Sequence, residues 1–124
     1  MDPTRQLIEQ YFATLEERNW AGFADLLHPD VSYEIPQSRE RIRGRDRYLQ
    51  FNQEYPGKWH VQPTQILVEG DAGVARFDFM ECMEPTREAV TFFRVEQGLL
   101  AALTDFWPEP YEPPPGRAHL VERW

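Results

Sequence analysis

The chain has 124 residues, of which 41% are hydrophobic and 14% aromatic, and its formal net charge is −8. This length suits one domain with a single core, and this composition excludes a disordered chain and a protein that spans a membrane. Because so acidic a surface repels phosphate groups, we expect neither nucleic acid nor a membrane as a partner.

The cysteine and histidine content excludes several kinds of site. A single cysteine, Cys82, allows no disulfide within the chain and no site built from several cysteines. The three histidines are scattered without the spacing of metal ligands, so we expect no metal and no cofactor. The N-terminal stretch MDPTRQLIEQYF carries charge where an export signal would be apolar, so we expect a cytoplasmic protein.

Helical patterns fill the first half of the chain. Asp2 is a typical N-cap, and Asn19 is a second one that predicts a short helix ending before Pro29. A third helix is predicted over about residues 45–54, after an arginine-rich stretch, residues 39–47, that we interpret as a solvated loop. The first helix carries apolar residues at i, i+3, i+4 spacing: Leu7, Ile8, Tyr11, Phe12 and Leu15.

Strand patterns follow. A short strand is predicted in VSYEIP, residues 31–36, and four more strands are predicted over 59–69, 74–83, 88–95 and 98–107, with Pro63 marking an edge or a bulge. Three helices followed by a meander of strands predict an α+β fold. Residues 1–107 form the predicted domain. The proline-rich residues 108–124 form an extended arm, which is part of the same domain, reaches a dimer partner, or is a loose tail.

Three segments carry a resemblance to a known family. In this order, LHPDVSYEIP, IRGRDRYLQF and FFRVEQGLLAALTDFW resemble the SnoaL-like branch of the nuclear-transport-factor-2-like superfamily, over about Leu7 to Trp107. The resemblance implies a cystatin-like α+β roll: a cone-shaped, strongly curved antiparallel sheet wrapped around N-terminal helices, with a hydrophobic pocket at the open end. It also implies a homodimer and a small hydrophobic ligand.

The resemblance alone does not decide the function. Members of the superfamily include ketosteroid isomerase, limonene epoxide hydrolase and polyketide cyclases, and also non-catalytic binding domains. In the isomerase pattern, Tyr11 falls on the tyrosine that stabilises the enolate, but Ile35 falls where the base stands and Thr91 where the second acid stands. Because isoleucine cannot take a proton, the resemblance to the isomerase does not extend to its usual mechanism.

The epoxide hydrolase pattern matches at more positions. Tyr33, Arg76, Asp78 and Asp105 fall on a tyrosine, an Arg-x-Asp pair and an aspartate of the last strand, while Ile35 replaces an asparagine. The resemblance implies that such groups activate water and protonate the opening epoxide.

Strand alternation leaves the place of Arg76 and Asp78 open. If these two side chains point into the pocket, Phe77 and Phe79 must point out of it, since successive residues of a strand face opposite sides. The opposite register buries the two phenylalanines and leaves Arg76 and Asp78 as a solvated pair. Composition favours this second register.

Asp105 is the best candidate for a catalytic carboxyl group. It alternates with Leu103 and Trp107, so apolar neighbours should raise its pKa and suit it to acid–base chemistry with Tyr11 or Tyr33 as hydrogen-bond donor. The alternatives are a structural acid bonded to its neighbours and a non-catalytic ligand-binding or dimerisation domain. The predicted substrate-binding residues are Ile35, Trp59, Thr91, Phe93, Leu103 and Trp107.

Overall fold

A computed structural model describes residues 2–124. Within these residues, three helices and six strands follow one another in this order: α1 (Pro3–Glu17), α2 (Trp20–Asp25), β1 (Leu27–Ile35), β2 (Glu40–Arg43), α3 (Arg45–Gln53), β3 (Trp59–Glu69), β4 (Ala72–Glu81), β5 (Arg87–Glu96) and β6 (Leu99–Phe106). The strands form one curved, unclosed sheet in the order β2-β1-β6-β5-β4-β3. The predicted α+β fold class is confirmed. Among residues 2–124, no helix is both long enough and apolar enough to cross a membrane.

Both predicted helix caps are present. The Asp2 carboxylate accepts hydrogen bonds from the backbone N–H groups of Thr4 (2.9 Å) and Arg5, and the Asn19 side chain accepts one from Gly22. The second helix ends earlier than the sequence predicts, at Asp25. Leu27, which lies within the predicted helix, instead opens β1, because it pairs with Leu100 of β6.

The sheet differs from the sequence prediction in two ways: it has an additional edge strand, and one pair of neighbouring strands is parallel. Residues 40–43, predicted to be part of a loop, form β2, which pairs with β1 and places Arg41 opposite Glu34. These two side chains form an ion pair at 2.6 Å on the outer face, and such charges are common on edge strands. Strand β1 runs parallel to β6, whereas the other neighbouring strands are antiparallel.

The opposite edge of the sheet contains the predicted proline irregularity. Strand β3 ends the strand order beside β4, and its register with β4 shifts between Pro63 and Gln65. Proline lacks the N–H that a ladder needs, so an edge strand with a bulge accommodates it.

The core lies between α1 and the concave face of the sheet. Ile8 and Phe12 of α1 are buried, and Phe12 packs against Phe77 of β4 with ring centroids 5.1 Å apart. The helix approaches β4 so closely at Gly73 that a Cβ atom there would lie 2.5 Å from the Cδ1 atom of Ile8. Glycine at position 73 therefore permits the contact that seats α1 in the sheet.

The proline-rich arm, residues 108–124, contains turns but neither helix nor strand. One turn is closed by a hydrogen bond from the Leu120 N–H to the Arg117 carbonyl at 3.0 Å. Four apolar side chains of the arm are exposed: Tyr111, Leu120, Val121 and Trp124.

Candidate active site

A cavity of about 340 Å³ opens between the helices and the concave face of the sheet. Such a volume lies at the lower end of the range for small-molecule sites. Its walls are mostly aromatic, and these side chains come from α1, α3 and four different strands or their ends: Tyr11, Phe12, Tyr33, Tyr48, Phe51, Tyr55, Trp59, Phe77, Phe79 and Trp107.

Asp105 is the buried carboxyl group of this cavity, with 6% of the residue exposed. The register of β5 and β6 sets Thr91 directly opposite it, and the Thr91 hydroxyl donates a hydrogen bond to Oδ1. The Tyr33 hydroxyl, from β1 on the other side of β6, donates to Oδ2. The Trp107 side chain adds a third hydrogen bond, for which its indole N–H is the donor.

Burial has the largest effect on the pKa of Asp105. Removal from water raises the pKa of its carboxyl above the ordinary value, and the hydrogen bonds from Thr91, Tyr33 and Trp107 oppose part of this rise. The two neighbouring hydroxyl groups can accept as well as donate, so they can satisfy either the protonated or the ionised carboxyl. The same two hydroxyl groups can therefore remain hydrogen-bonded to the carboxyl in both protonation states.

A second polar contact in the cavity joins Tyr11 of α1 to Tyr48 of α3, with their hydroxyl oxygens 2.6 Å apart. Burial is the main cause that raises the pKa of both groups, so both phenols stay neutral at physiological pH. The Tyr48 ring lies 4.6 Å from that of Tyr33. The inner end of the cavity thus presents neutral hydroxyl groups beside one carboxyl.

Two tryptophans of the wall are fixed from outside the cavity. The side-chain amide of Gln37, in the turn after β1, donates to the Trp107 carbonyl at 2.6 Å and accepts from the Trp107 N–H. Arg18, which ends α1 with a φ of 57°, lies 3.6 Å from the Trp59 ring centroid and also donates to the Trp59 carbonyl. Gln37 therefore fixes the backbone at Trp107, whereas the Arg18 guanidinium covers the ring of Trp59.

The mouth of the cavity carries charged side chains. Arg87, the first residue of β5, places its guanidinium over the rings of Phe79 and Trp107, at 5.2 and 5.3 Å from their centroids. Glu40 and Glu109 also line the opening. The polarity of the cavity therefore changes from neutral hydroxyls inside to charges at the mouth.

Six of the predicted site residues line the cavity together. Three are the candidates for chemistry, Asp105, Tyr11 and Tyr33, and the other three are the predicted contact residues Ile35, Trp59 and Trp107. Glu34, the neighbour of Ile35, lies on the outer face, as the alternation of β1 predicts.

Arg76 and Asp78, candidate catalytic residues whose orientation the sequence left open, do not line the cavity. Phe77 and Phe79 are buried and line it instead, which is the register that composition favours. Arg76 is exposed on the outer face and forms an ion pair with Glu88 at 3.2 Å.

Three predicted substrate-binding residues lie behind the cavity wall. Thr91 is buried and contacts Asp105 rather than the open space. Phe93 packs against the Tyr11 ring at 5.2 Å, and Leu103 is fully enclosed in the core. Their side chains share the predicted face of the sheet, but α1 covers that part of it.

Sequence reasoning missed the wall that α3 supplies. Tyr48, Phe51 and Asn52 of α3 and Tyr55, two residues after its end, line the cavity with the helical spacing i, i+3, i+4, i+7. This spacing is visible in the sequence, but it was not used to predict cavity residues. Among residues 2–124, no three His, Cys, Asp or Glu side chains converge in a way that could hold a metal ion.

Comparisons with known proteins agree with this architecture. A family model described as a SnoaL-like domain matches residues 8–103. The chain is 50% identical to a protein from Kribbella flavida DSM 17836 described as a "putative ketosteroid isomerase". The two structures have a TM-score of 0.94, and the match covers 98% of this chain and 90% of that one.

More distant structures share the fold. An M. tuberculosis LEH-like epoxide hydrolase is 18% identical with a TM-score of 0.73, over 86% of this chain and 83% of that one. A Xanthomonas campestris protein described as a "putative polyketide cyclase" is 19% identical with a TM-score of 0.70, over 86% of this chain and 90% of that one. Among curated proteins, none matches the chain.

The raised pKa of Asp105 predicts how stability depends on pH. The folded state holds the proton more tightly than the unfolded chain, whose aspartate pKa is about 4. The contribution of Asp105 is therefore greatest below about pH 4 and is lost as the pH rises through the folded pKa. The Asp105→Asn variant lacks this titration. Relative to the parent, its free energy of unfolding should rise with pH, by at most about 1.4 kcal/mol per pH unit.

Urea unfolding of both proteins at a series of pH values checks this trend. The difference between the two proteins cancels the titration of the other acidic groups. A difference that stays constant from pH 4 to 8, or that shrinks as the pH rises, would contradict a raised pKa.

Proposed function

The chain belongs to the SnoaL-like domain family, and on this basis we propose that it binds a small hydrophobic compound and performs cofactor-free acid–base chemistry on it. Proteins that share its fold are described as a putative ketosteroid isomerase, an epoxide hydrolase and a putative polyketide cyclase. The observation that carries the proposal is Asp105, a buried carboxyl group that lines an aromatic cavity.

The surroundings of Asp105 support its role as the proton donor and acceptor. A carboxyl group with a raised pKa is protonated over a wider pH range and still accepts a proton readily once ionised, which is what general acid–base catalysis near neutrality needs. Tyr33 and Thr91 hold the group in one orientation. A ligand oxygen or an acidic C–H group placed at the inner end of the cavity would meet this carboxyl.

The inner wall of the cavity offers one carboxyl group for the mechanism, Asp105, because Glu40 and Glu109 lie at the opening. Ile35 lines the cavity where, by family resemblance, a base or an amide would stand, and Arg76 and Asp78 lie on the outer face. We therefore propose that Asp105 acts alone, with Tyr33 as its hydrogen-bonding partner. In an isomerisation, dehydration or cyclisation, one carboxyl group can both remove a proton and return it. Such reactions suit this arrangement better than an epoxide opening that needs two acids.

A second candidate function is non-catalytic ligand binding. It is favoured by the complete pairing of the polar groups. Both oxygens of Asp105 have partners, and among residues 2–124 no buried side-chain nitrogen or oxygen lacks one. In that case Asp105 would orient Tyr33 and the ligand without exchanging a proton.

Replacement of Asp105 by asparagine separates the two candidates. The substrate for this test is an epoxide or cyclic ketone that the parent protein converts. We expect Asp105→Asn to lower its turnover by about 100-fold or more, while the affinity for the same compound changes by only a few fold. Turnover is followed by chromatography, and binding by fluorescence of the cavity tryptophans. Asp78→Asn on the outer face is the matched control and should behave like the parent.

The outcomes are distinct. Turnover that survives in Asp105→Asn removes this residue from the mechanism. Saturable binding without turnover in the parent, unchanged in the variant, supports the non-catalytic candidate.

We also propose a cytoplasmic location and no nucleic-acid partner. The location is supported by Cys82, an exposed thiol with no disulfide partner, which suits a reducing compartment. The net charge of −8 opposes contact with phosphate backbones.

We further propose that the chain is a homodimer through the outer face of the sheet. Phe92 and Phe106 are 51% and 37% exposed there, on neighbouring strands, and their ring centroids are 5.8 Å apart. Paired exposed aromatic rings of this kind mark contact surfaces. The apolar side chains of the arm, residues 108–124, offer additional contact area for the second copy.

Introducing a negative charge at position 92 tests whether the outer face of the sheet forms the dimer interface. We expect the parent to sediment as a dimer and Phe92→Asp to sediment as a monomer, because a carboxylate is costly to bury at an interface. Leu67→Asp replaces another exposed apolar side chain, on edge strand β3, and should leave the dimer intact. A monomeric parent, or a Phe92→Asp variant that remains dimeric, would contradict this interface.

A further inference from the structure

Arg87 lies where the cavity opens to solvent. It lines both the cavity and the groove outside it, which is formed by the turn between β4 and β5 and by the first residues of the arm. Its guanidinium lies over Phe79 and Trp107, two rings that belong to the cavity wall. The positive charge is therefore held at the mouth by the same aromatic groups that would contact a ligand.

Among the bonds described for residues 2–124, the Arg87 guanidinium has an ion pair but no hydrogen bond. Its one ion-pair neighbour there is Glu81, at 3.8 Å, and the Arg87 side chain is 48% exposed. Glu88 is engaged by Arg76 at 3.2 Å, and Glu40 accepts a hydrogen bond from Ser38 at 2.6 Å. The donors of the guanidinium therefore remain open to a carboxylate, whose two oxygens match its geometry.

We propose that the ligand of this cavity carries one acidic group, such as a carboxylate, and that Arg87 binds it at the mouth. This inference rests on the proposed small-molecule site and names the class of compound that fits it. The hydrophobic body would lie between the aromatic walls. A neutral oxygen would face the inner end, where Asp105 and Tyr33 lie.

The position of Trp107 supports a ligand with two polar ends. Its indole N–H bonds to Asp105, while its ring carries the Arg87 guanidinium. The two ends of the site are thus separated by little more than one tryptophan side chain. A compact compound, with one or two rings between a neutral oxygen and an acid, spans that separation.

The acidic side chains of the mouth limit the charge that the site accepts. Glu40 and Glu109 line the opening and would repel a ligand with several negative groups. A single carboxylate seated on Arg87 avoids this repulsion because its charge is neutralised locally. A ligand with an ammonium group instead would be attracted by the glutamates and repelled by Arg87, and it serves as the opposing probe.

Three probes with the same body test the proposal: 1-indanone-5-carboxylate, the corresponding primary amide, and 5-aminomethyl-1-indanone. Binding is followed by tryptophan fluorescence at low ionic strength. We expect the parent to bind the carboxylate about tenfold more tightly than the amide, which is the effect of one charge-assisted hydrogen bond. Arg87→Gln should abolish this preference and leave amide binding within about twofold.

Two control variants show whether the preference for the carboxylate depends on the charge at position 87. Arg76→Gln removes an arginine from the outer face and should preserve the carboxylate preference, because Arg76 does not line the cavity. Arg87→Lys retains the charge and should retain part of the preference. Added salt should weaken binding of the carboxylate and leave that of the amide unchanged.

Several results would overturn the proposal. Equal binding of carboxylate and amide by the parent, equal losses of both in Arg87→Gln, or tightest binding of the amine would each exclude an acid site at Arg87 while leaving the cavity as a ligand site. If none of the three probes binds the parent, the proposed small-molecule function fails together with the inference.

Discussion

The burial of one carboxyl group, Asp105, constrains the rest of this structure. A carboxyl removed from water is costly unless hydrogen bonds replace its hydration. The donors come from three separate parts of the chain: Tyr33 of β1, Thr91 of β5 and Trp107 after β6. A slip of one residue in either neighbouring strand would turn its donor to the outer face, so the carboxyl and the strand register depend on each other.

The aromatic walls complete this environment. They exclude water from the carboxyl, which keeps its pKa raised and strengthens each hydrogen bond around it. Polar groups outside the cavity support two of these residues: Gln37 bonds to the backbone of Trp107, and Arg18 lies on the ring of Trp59. The cavity therefore combines an apolar interior with a rigid frame, which is the condition under which a single polar group can orient a ligand.

The elements that the sequence predicted well depend on local chemistry. Asp2 and Asn19 cap their helices through bonds to residues two or three positions away. The inward position of Phe77 and Phe79 follows from the preference of large apolar side chains for the core. Alternation along the strand placed Asp105 on the same face as Leu103, and the family resemblance implied that this face looks into the pocket.

The elements that the sequence did not reveal depend on distant partners. Residues 40–43 form a strand only because β1 lies beside them, and Leu27 leaves the helical pattern because β6 pairs with it. Likewise, the place of Arg87 at the mouth is defined by contacts with Phe79 and Trp107 of other strands and loops. No spacing rule along the chain encodes these contacts. The cavity face of α3 was an exception, because its periodicity was readable in the sequence.

We propose that the buried carboxyl of Asp105 meets the polar atom of a bound ligand. A crystal structure of the protein with a cyclic ketone in the cavity tests this contact. We expect the ketone oxygen to lie within hydrogen-bond distance of the Asp105 carboxyl, with the ring between the aromatic walls. A ketone oxygen directed toward the mouth, with Asp105 still bonded only to Thr91, Tyr33 and Trp107, would contradict it.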